Sequence, residues 1–397
     1  MIRSITTLVF LLYFTTYSSC QTKVSSIVDT TIRIKVNYTV INQDSVKEKQ
    51  IIKHWEDYLN SGEKSYYNSN SLSFWITSLD FPTPNHFISN IGKDRNEIKN
   101  INKSLVSVIA LYPIRKDTYA LKTMFCYYKD SSKTLMLDNI ITVYAIYENN
   151  TIKFLSSPQW YSQTWNSEKQ GNIRFYYPKG HSFDKIKAIK LDSFNNKISE
   201  LFSITPINLK YFVCQSNENI YEILGYQFTP NQHVPNQIGA ICSSPNLAVF
   251  AGNGSEFYPH EVVHLYTAQL WGKSGFYYHS WFDEGIATLF GGSRGYSLEW
   301  HLKKLKMHLE QNPKETLTDI SKLSTVPNGE FITEYNYAIG GLICKLIYEN
   351  KGMEGLFDLL KSGSSDDDFY KAIEKHFGVK KVDFGTFIRN ELKKIQN

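Results

Sequence analysis

The chain has 397 residues, of which 42% are hydrophobic and 20% charged; this is enough apolar material for a folded core and excludes a wholly disordered protein. The formal net charge of +5 is spread along the chain without the clustered Lys and Arg of a nucleic-acid-binding surface, so no nucleic-acid partner is expected. Five cysteines are too few for a disulfide scaffold. The length suits one large domain or two ordinary ones.

The first twenty residues are typical of a secretory signal peptide, because Arg3 precedes an apolar segment at residues 8–14 and small residues lead up to Cys20. This ending resembles the lipobox of bacterial lipoproteins, in which the cysteine is lipidated, although Tyr17 stands where Leu is usual. We predict a lipoprotein-type signal peptide over residues 1–20, export, and membrane attachment only through a lipid on Cys20. Cleavage close to Cys20 followed by secretion is the alternative.

Residues 21–160 are predicted to form an α+β module. An amphipathic helix is expected over residues 46–60, after a short strand within residues 31–38. Four segments with the pattern of strands follow, separated by turn signals, at residues 104–111, 118–128, 140–147 and 151–156. One helix followed by a curved antiparallel sheet is similar to the nuclear-transport-factor-like fold, on topology alone. We expect this module to space the protein from its anchor or to dock a substrate.

A second unit is expected over residues 172–397, after a polar joint at residues 160–171. Its predicted elements are strands at residues 172–177, 207–214 and 246–251 and a helix at residues 183–202, and from residue 257 onward the chain is mostly helical. The chain is therefore predicted to be an α+β protein with a small sheet and a mostly helical C-terminal half in its second unit.

The strongest chemical signal is an HExxH motif, which runs from His260 to His264. Residues four apart lie on one face of a helix, so the two imidazoles can share one Zn²⁺ ion. Glu261 lies about 100° round the helix from His260, where its carboxylate can act as a base. The pattern also occurs by chance, in which case these side chains would form a solvated helix face.

A second helix is expected to begin at Ser280, which forms a capping-box-like start with Asp283. If this helix folds back antiparallel onto the HExxH helix, Glu284 lies opposite the two imidazoles. Two His and one Glu leave the fourth zinc position open, which is the arrangement of catalytic rather than structural sites.

With these residues the chain resembles the gluzincin metallopeptidases of the peptidase MA clan, and by motif it is similar to the aminopeptidase-N family over roughly residues 172–390. That family carries HExxH followed by WxxEGxA, which is found here at residues 281–287. Nineteen residues separate His264 from Glu284, against the usual eighteen. The resemblance implies a thermolysin-like peptidase domain, one Zn²⁺ held by His260, His264 and Glu284, and hydrolysis of a peptide or protein substrate with Glu261 as general base.

The resemblance also implies an oxyanion-stabilising tyrosine in a YxxG pattern that opens a late helix. Tyr337 and Gly340 fit this pattern, with Tyr335 as the rival and a packed core tyrosine as the alternative. The family reads the substrate amine with a Gly-Ala-Met-Glu-Asn strand, but residues 239–243 are Gly-Ala-Ile-Cys-Ser, so the choice between endopeptidase and aminopeptidase stays open. Residues 246–251 are expected to form a sheet edge on which an extended peptide could pair.

Two other function classes remain open: a binding protein with an inactive metallopeptidase-like shell, and a zinc hydrolase acting on a non-peptide amide or ester. Outside the motifs, four cysteines are expected to be buried free thiols, with a Cys214–Cys242 bridge left open; they are Cys126, Cys214, Cys242 and Cys344. His279 is expected on a surface loop, with an approach to the oxyanion as the alternative. His301 and His308 are expected to face solvent from a polar helix at residues 298–311.

Overall fold

The structure, a computed structural model, describes residues 34–36, 46–61, 69–88, 105–129, 134–149, 151–230, 232, 239–271, 276–323, 325–326 and 333–395. The predicted signal peptide and Cys20 lie outside these residues. Over the described ranges, no helix has the length and apolar character needed to cross a membrane.

The fold is α+β, as predicted. The helices are α1 (Val46–Asn60), α2 (Ser69–Leu72), α3 (Ser157–Thr164), α4 (Lys185–Phe202), α5 (Asn217–Leu224), α6 (His260–Trp271), α7 (Ser280–Gly291), α8 (Leu298–Gln311), α9 (Gly341–Leu360), α10 (Asp366–Phe377) and α11 (Phe384–Lys393). The strands are β1 (Ile34–Val36), β2 (Leu105–Arg115), β3 (Thr118–Lys129), β4 (Thr134–Glu148), β5 (Thr151–Leu155), β6 (Asn166–Gln170), β7 (Ile173–Tyr177), β8 (Leu209–Val213), β9 (Tyr226–Phe228), β10 (Ala240–Ser243), β11 (Ala248–Ala251), β12 (Thr325–Val326) and β13 (Thr333–Glu334).

The first sheet has the order β1-β2-β3-β4-β5 and is antiparallel from β2 to β5, as the alternating pattern and turn signals predict. Helix α1 covers one face of it, because the apolar stripe of this helix is buried there; for example, the ring of Trp55 lies 5.2 Å from that of Phe154. Strand β9, which comes from the second half of the chain, adds to this sheet beside β4. The division into domains at residues 21–160 and 172–397 stays a prediction.

The second sheet has the order β10-β11-β8-β7-β6, with β7, β8 and β11 parallel to one another. The predicted joint at residues 160–171 contains the end of α3 and all of β6, so it is not simply a connecting loop. The expectation that residues 246–251 form the sheet edge is wrong. Strand β11 lies between β8 and β10 with all four residues buried, and β10 takes the edge position among the described strands.

The helical half packs against the second sheet through a large apolar cluster, and two glycine contacts set its geometry. A Cβ atom on Gly285 of α7 would lie 2.4 Å from the carbonyl carbon of Gly340, in the π-helical turn (residues 336–340) that opens α9. A Cβ atom on Gly291, at the end of α7, would lie 2.8 Å from the backbone of His260, at the start of α6. These approaches place α7 antiparallel to α6 and bring three segments into backbone contact.

Candidate metal centre

The two HExxH imidazoles face each other from one side of α6. Their Nε2 atoms are 3.1 Å apart, and their ring planes are inclined by 78°. His260 is 3% exposed, and His264 is largely buried. Helical spacing alone produces this pairing, since the residues are four positions apart.

Glu284 completes a triangle with these rings from the facing helix α7. Its Oε2 atom lies 3.1 Å from Nε2 of His260 and 3.5 Å from Nε2 of His264. A tetrahedral Zn²⁺ ion with bonds of about 2.0–2.2 Å would hold its ligand atoms roughly 3.3–3.6 Å apart. The three side chains that the sequence singled out therefore lie together, with one edge of the triangle inside this range and two edges about 0.2 Å below it.

Glu261 is a second carboxylate near the two imidazoles. Ligand-capable atoms of His260, Glu261 and His264 lie within 4.8 Å of one another, so these three residues form a group that could hold a metal ion. The Oε2 atom of Glu284 lies within 3.5 Å of both imidazoles, so two carboxylates, those of Glu261 and Glu284, are candidates for the third ligand. Burial raises the pKa of Glu261, against the opposing influence of His264 and His260, and the thiol of Cys242 on β10 interacts with it.

The outer nitrogen of each imidazole has its own partner. Nδ1 of His260 lies 2.5 Å from the carbonyl oxygen of Gly292, whose φ of 69° and ψ of −173° are accessible mainly to glycine. Nδ1 of His264 lies 3.0 Å from Oδ2 of Asp283 as an ion pair, while Oδ1 of Asp283 accepts a hydrogen bond from Thr267. Such partners orient metal-binding imidazoles so that Nε2 faces the metal.

The electrostatic field at the centre favours positive charge. Burial opposes a charge on His264, but the carboxylates of Asp283 and Glu284 raise its pKa well above the usual range. Burial also opposes ionisation of Glu284, yet His264 and His260 lower its pKa overall. A site that stabilises a proton in this way also suits a divalent cation, because both are positive charges held between carboxylates and imidazoles.

Of the two candidate tyrosines, Tyr337 lies at the centre. Its ring is 5.8 Å from that of His260, and burial raises the pKa of its hydroxyl. Tyr335 points elsewhere, because its hydroxyl donates a hydrogen bond to Glu315. Tyr337 lies in the π-helical turn, a form of backbone often found at functional sites.

Three histidine predictions and one capping prediction are wrong. His279 is buried and caps α7 by accepting a hydrogen bond from the backbone N–H of Trp281, so Ser280 is the first residue of the helix and not its cap. His301 and His308 are also buried, where they contact Thr333 and Glu315. Thr333 is 32 positions from His301 and Glu315 is 7 positions from His308, so protein groups rather than solvent contact these ring nitrogens.

Four cysteines of the described residues are free thiols: Cys126, Cys214 and Cys344, which are buried, and Cys242, which is partly buried. The expectation of free thiols is confirmed. The Cys214–Cys242 bridge does not form, because β11 separates β10, which contains Cys242, from β8, which Cys214 directly follows.

Sequence reasoning missed the second layer of the centre, namely the carbonyl of Gly292, the carboxylate of Asp283, and Arg294 with Glu334 beside Tyr337. Two features of the sequence could have indicated two of these groups, Asp283 and Gly292. Asp283 precedes Glu284 directly, and the Gly291-Gly292 pair ends α7 where a close backbone approach is needed.

No family model and no curated protein matches the sequence. Among solved structures, the chain is similar to an M1 zinc metallopeptidase from Deinococcus radiodurans, whose crystal structure is that of a mutant bound to a Tyr-Ser-Ala substrate. The identity is 11% and the TM-score 0.29, with 74% of this chain and 64% of that chain covered. The match spans less than two thirds of that protein, and a similarity this remote does not establish membership of its family.

Proposed function

We propose that the protein is a zinc-dependent peptidase whose single Zn²⁺ is held by His260, His264 and Glu284. The observation that carries the proposal is the triangle of ligand atoms, with edges of 3.1, 3.1 and 3.5 Å, on two helices fixed by glycine contacts. Three protein ligands leave one tetrahedral position for water or substrate, as in catalytic zinc sites. Export and a lipid anchor at Cys20 belong to the same proposal.

Zn²⁺ bound there would lower the pKa of a water molecule and polarise the scissile carbonyl. Glu261 accepts the proton of the attacking water and passes it to the leaving amine; the raised pKa of this buried carboxyl suits both steps. The Tyr337 hydroxyl stays protonated, because burial raises its pKa, and donates a hydrogen bond to the oxyanion.

The substrate is proposed to be an extended peptide lying along β10. Among the described strands, only β11 pairs with β10, so the opposite edge can accept the backbone of a peptide. The interaction of Cys242, on this strand, with Glu261 supports this proposal. Two exposed aromatic side chains, Trp271 (55% exposed) and Tyr277 (63% exposed), are suited to contact apolar side chains of such a peptide.

The test compares the wild-type protein with the Glu261→Gln variant by elemental analysis and by hydrolysis of a peptide library. We expect one zinc per chain in both proteins and peptide cleavage by the wild type alone. The matched control is Glu354→Gln, which neutralises an exposed glutamate on α9 and should leave cleavage unchanged.

Each of the other outcomes contradicts part of the proposal. Equal cleavage by Glu261→Gln would refute the role of Glu261. A folded wild-type protein that binds no zinc would favour the inactive binding protein. Bound zinc with turnover of esters or non-peptide amides, and none of peptides, would favour the alternative hydrolase.

A further inference from the structure

Residues 292–297, the loop between α7 and α8, contact His260 of the candidate centre and His301 of α8. The carbonyl of Gly292 contacts Nδ1 of His260, and the carbonyl of Ser293 lies 3.1 Å from Nε2 of His301. Ser293 and Tyr296 exchange two backbone hydrogen bonds of 2.9 Å, and the backbone N–H of Arg294 donates to the hydroxyl of Tyr258. The loop is therefore fixed by its own backbone.

Arg294 has an unusual backbone and side chain in this loop. Its φ is 52°, the left-handed region that residues with a Cβ rarely adopt, and such conformations cluster at functional sites. Its side chain is 13% exposed, and its Nη2 atom binds the carboxylate of Glu334. This conformation turns a long charged side chain inward.

The guanidinium of Arg294 stacks over Tyr337. Its central carbon lies 5.5 Å from the centre of the Tyr337 ring, within the range of a cation–π contact. His260 and His301 contact the same ring, each with its ring centre at 5.8 Å. Tyr337 is thus held between the first imidazole of the centre and a buried arginine.

Glu334 links this contact to the chain that carries the tyrosine. It ends β13, three residues before Tyr337, and is partly buried. The planar guanidinium can bind the carboxylate of Glu334 with its edge and Tyr337 with its face at the same time, which a lysine ammonium cannot do. Arg294 therefore connects the loop after α7 to the π-helical turn.

We infer that Arg294 is a positioning residue, which fixes Tyr337 so that its hydroxyl faces the substrate carbonyl at the centre. The inference rests on the proposed function for its catalytic consequence, whereas the structural consequence, an ordered turn at residues 336–340, does not depend on it. Loss of the arginine keeps the hydroxyl group but no longer holds the ring, and with it the hydroxyl, in position. The turnover number should then fall while substrate binding is retained.

The test is a double-mutant cycle of Arg294→Met and Tyr337→Phe. From the usual strength of a partly desolvated cation–π contact, Arg294→Met alone should lower kcat about tenfold, with KM nearly unchanged. When Arg294→Met is added to Tyr337→Phe, kcat should fall little further, because the arginine acts through the hydroxyl that the phenylalanine lacks. Arg294→Lys keeps the charge but not the planar guanidinium, so it should recover part of the loss in kcat. It replaces the methionine variant in the cycle if that variant does not fold.

Hydrogen exchange gives a readout that is independent of turnover. Amides of residues 333–340 should exchange faster in Arg294→Met than in the wild type. The matched control is Arg115→Met, which removes an arginine lying 4.7 Å from the ring of Trp160, far from the centre. It should change neither kcat nor exchange at residues 333–340.

Two results would overturn the positioning role: unchanged exchange at residues 333–340 in Arg294→Met, or losses in kcat that simply add in the double variant. If the wild type hydrolyses no substrate but exchange at residues 333–340 rises in Arg294→Met, the proposed function fails and the positioning of Tyr337 stands. Failure of the inference and failure of the proposed function are thus separated.

Discussion

The first sheet and the metal centre are built by different means. In the first sheet, long antiparallel strands bury apolar side chains, so Leu121 of β3 lies between Leu111 and Val143 of the neighbouring strands. At the centre, backbones touch at glycines, and buried polar groups such as His260 and Glu261 are matched to partners. The first construction depends on apolar volume, and the second depends on the placement of individual atoms.

The glycine contacts show how two sequence motifs become one structural feature. The glycine of WxxEGxA is Gly285 and that of YxxG is Gly340, and each leaves the room that the backbone of the other segment occupies. Each motif also carries one functional candidate, Glu284 and Tyr337. The two glycines thus set the separation between the third candidate ligand and the candidate oxyanion donor.

The largest expected effect concerns stability alone. Leu121→Ala removes a fully buried side chain of the first sheet and should lower the free energy of unfolding by about 2–5 kcal/mol. Urea denaturation measures this loss. The kcat/KM of the folded fraction should stay close to that of the wild type, because no residue of the centre touches the deleted atoms.

Leu79 provides the matched control, since its side chain is fully exposed. Leu79→Ala should change the free energy of unfolding by no more than about 0.5 kcal/mol. If folded Leu121→Ala retains zinc but loses turnover, the two regions are coupled and the contrast between them fails.

The next largest expected effect is on the turnover number and not on stability. Tyr337→Phe removes the proposed oxyanion donor and should lower kcat about 100- to 1,000-fold, the usual cost of losing one such donor. Tyr335→Phe should reduce stability through the lost hydrogen bond to Glu315, with little change in kcat. Steady-state kinetics on zinc-loaded proteins distinguishes the two tyrosines. A larger loss of kcat in Tyr335→Phe would reverse the assignment.

Features fixed by local spacing were predictable from sequence. The predicted helices at residues 46–60 and 298–311 have the observed bounds, and the strands of the first sheet were found from alternation and turns. The meeting of His260, His264 and Glu284 followed from helical periodicity and one short connection. Each of these inferences uses neighbours within a few turns or one loop of each other.

Features fixed by distant partners were not predictable. His279 packs against the ring of Phe369, and its Nε2 atom lies 3.1 Å from the carboxylate of Asp366, 87 positions away. Strand β11 is internal because β10 continues the sheet on its outer side, an order that no local pattern specifies. Arg294 lies beside the centre because its side chain binds Glu334 and contacts the ring of Tyr337, both from another segment of the chain. In each case, the energy of burying a polar group depends on an atom supplied by another part of the fold.

The last prediction compares one histidine from each region, the buried His301 near the centre and the partly buried His54 of the first sheet region. Burial, reinforced by the nearby charge of Arg294, lowers the pKa of His301 to about 4, against 6.5 in an exposed histidine. Below pH 6.5 the unfolded chain therefore binds a proton that the folded chain does not bind, so stability falls on acidification towards pH 4. The contribution of His301 to this loss is about 3 kcal/mol at most. His54 in the first sheet region also has a lowered pKa, mainly from burial, but is only partly buried.

We expect His301→Gln to flatten the fall in stability between pH 6.5 and 4 by more than His54→Gln does. Urea denaturation of the metal-free proteins at pH 7 and pH 4.5 measures the difference, and the other titrating groups cancel when each variant is compared with the wild type. A His301→Gln curve parallel to that of the wild type would show that the ring is protonated in the folded protein. The contacts of His301 with Thr333 and Ser293 would then stabilise the protonated ring. His301 would in that case contribute no more to the loss of stability at low pH than His54 does.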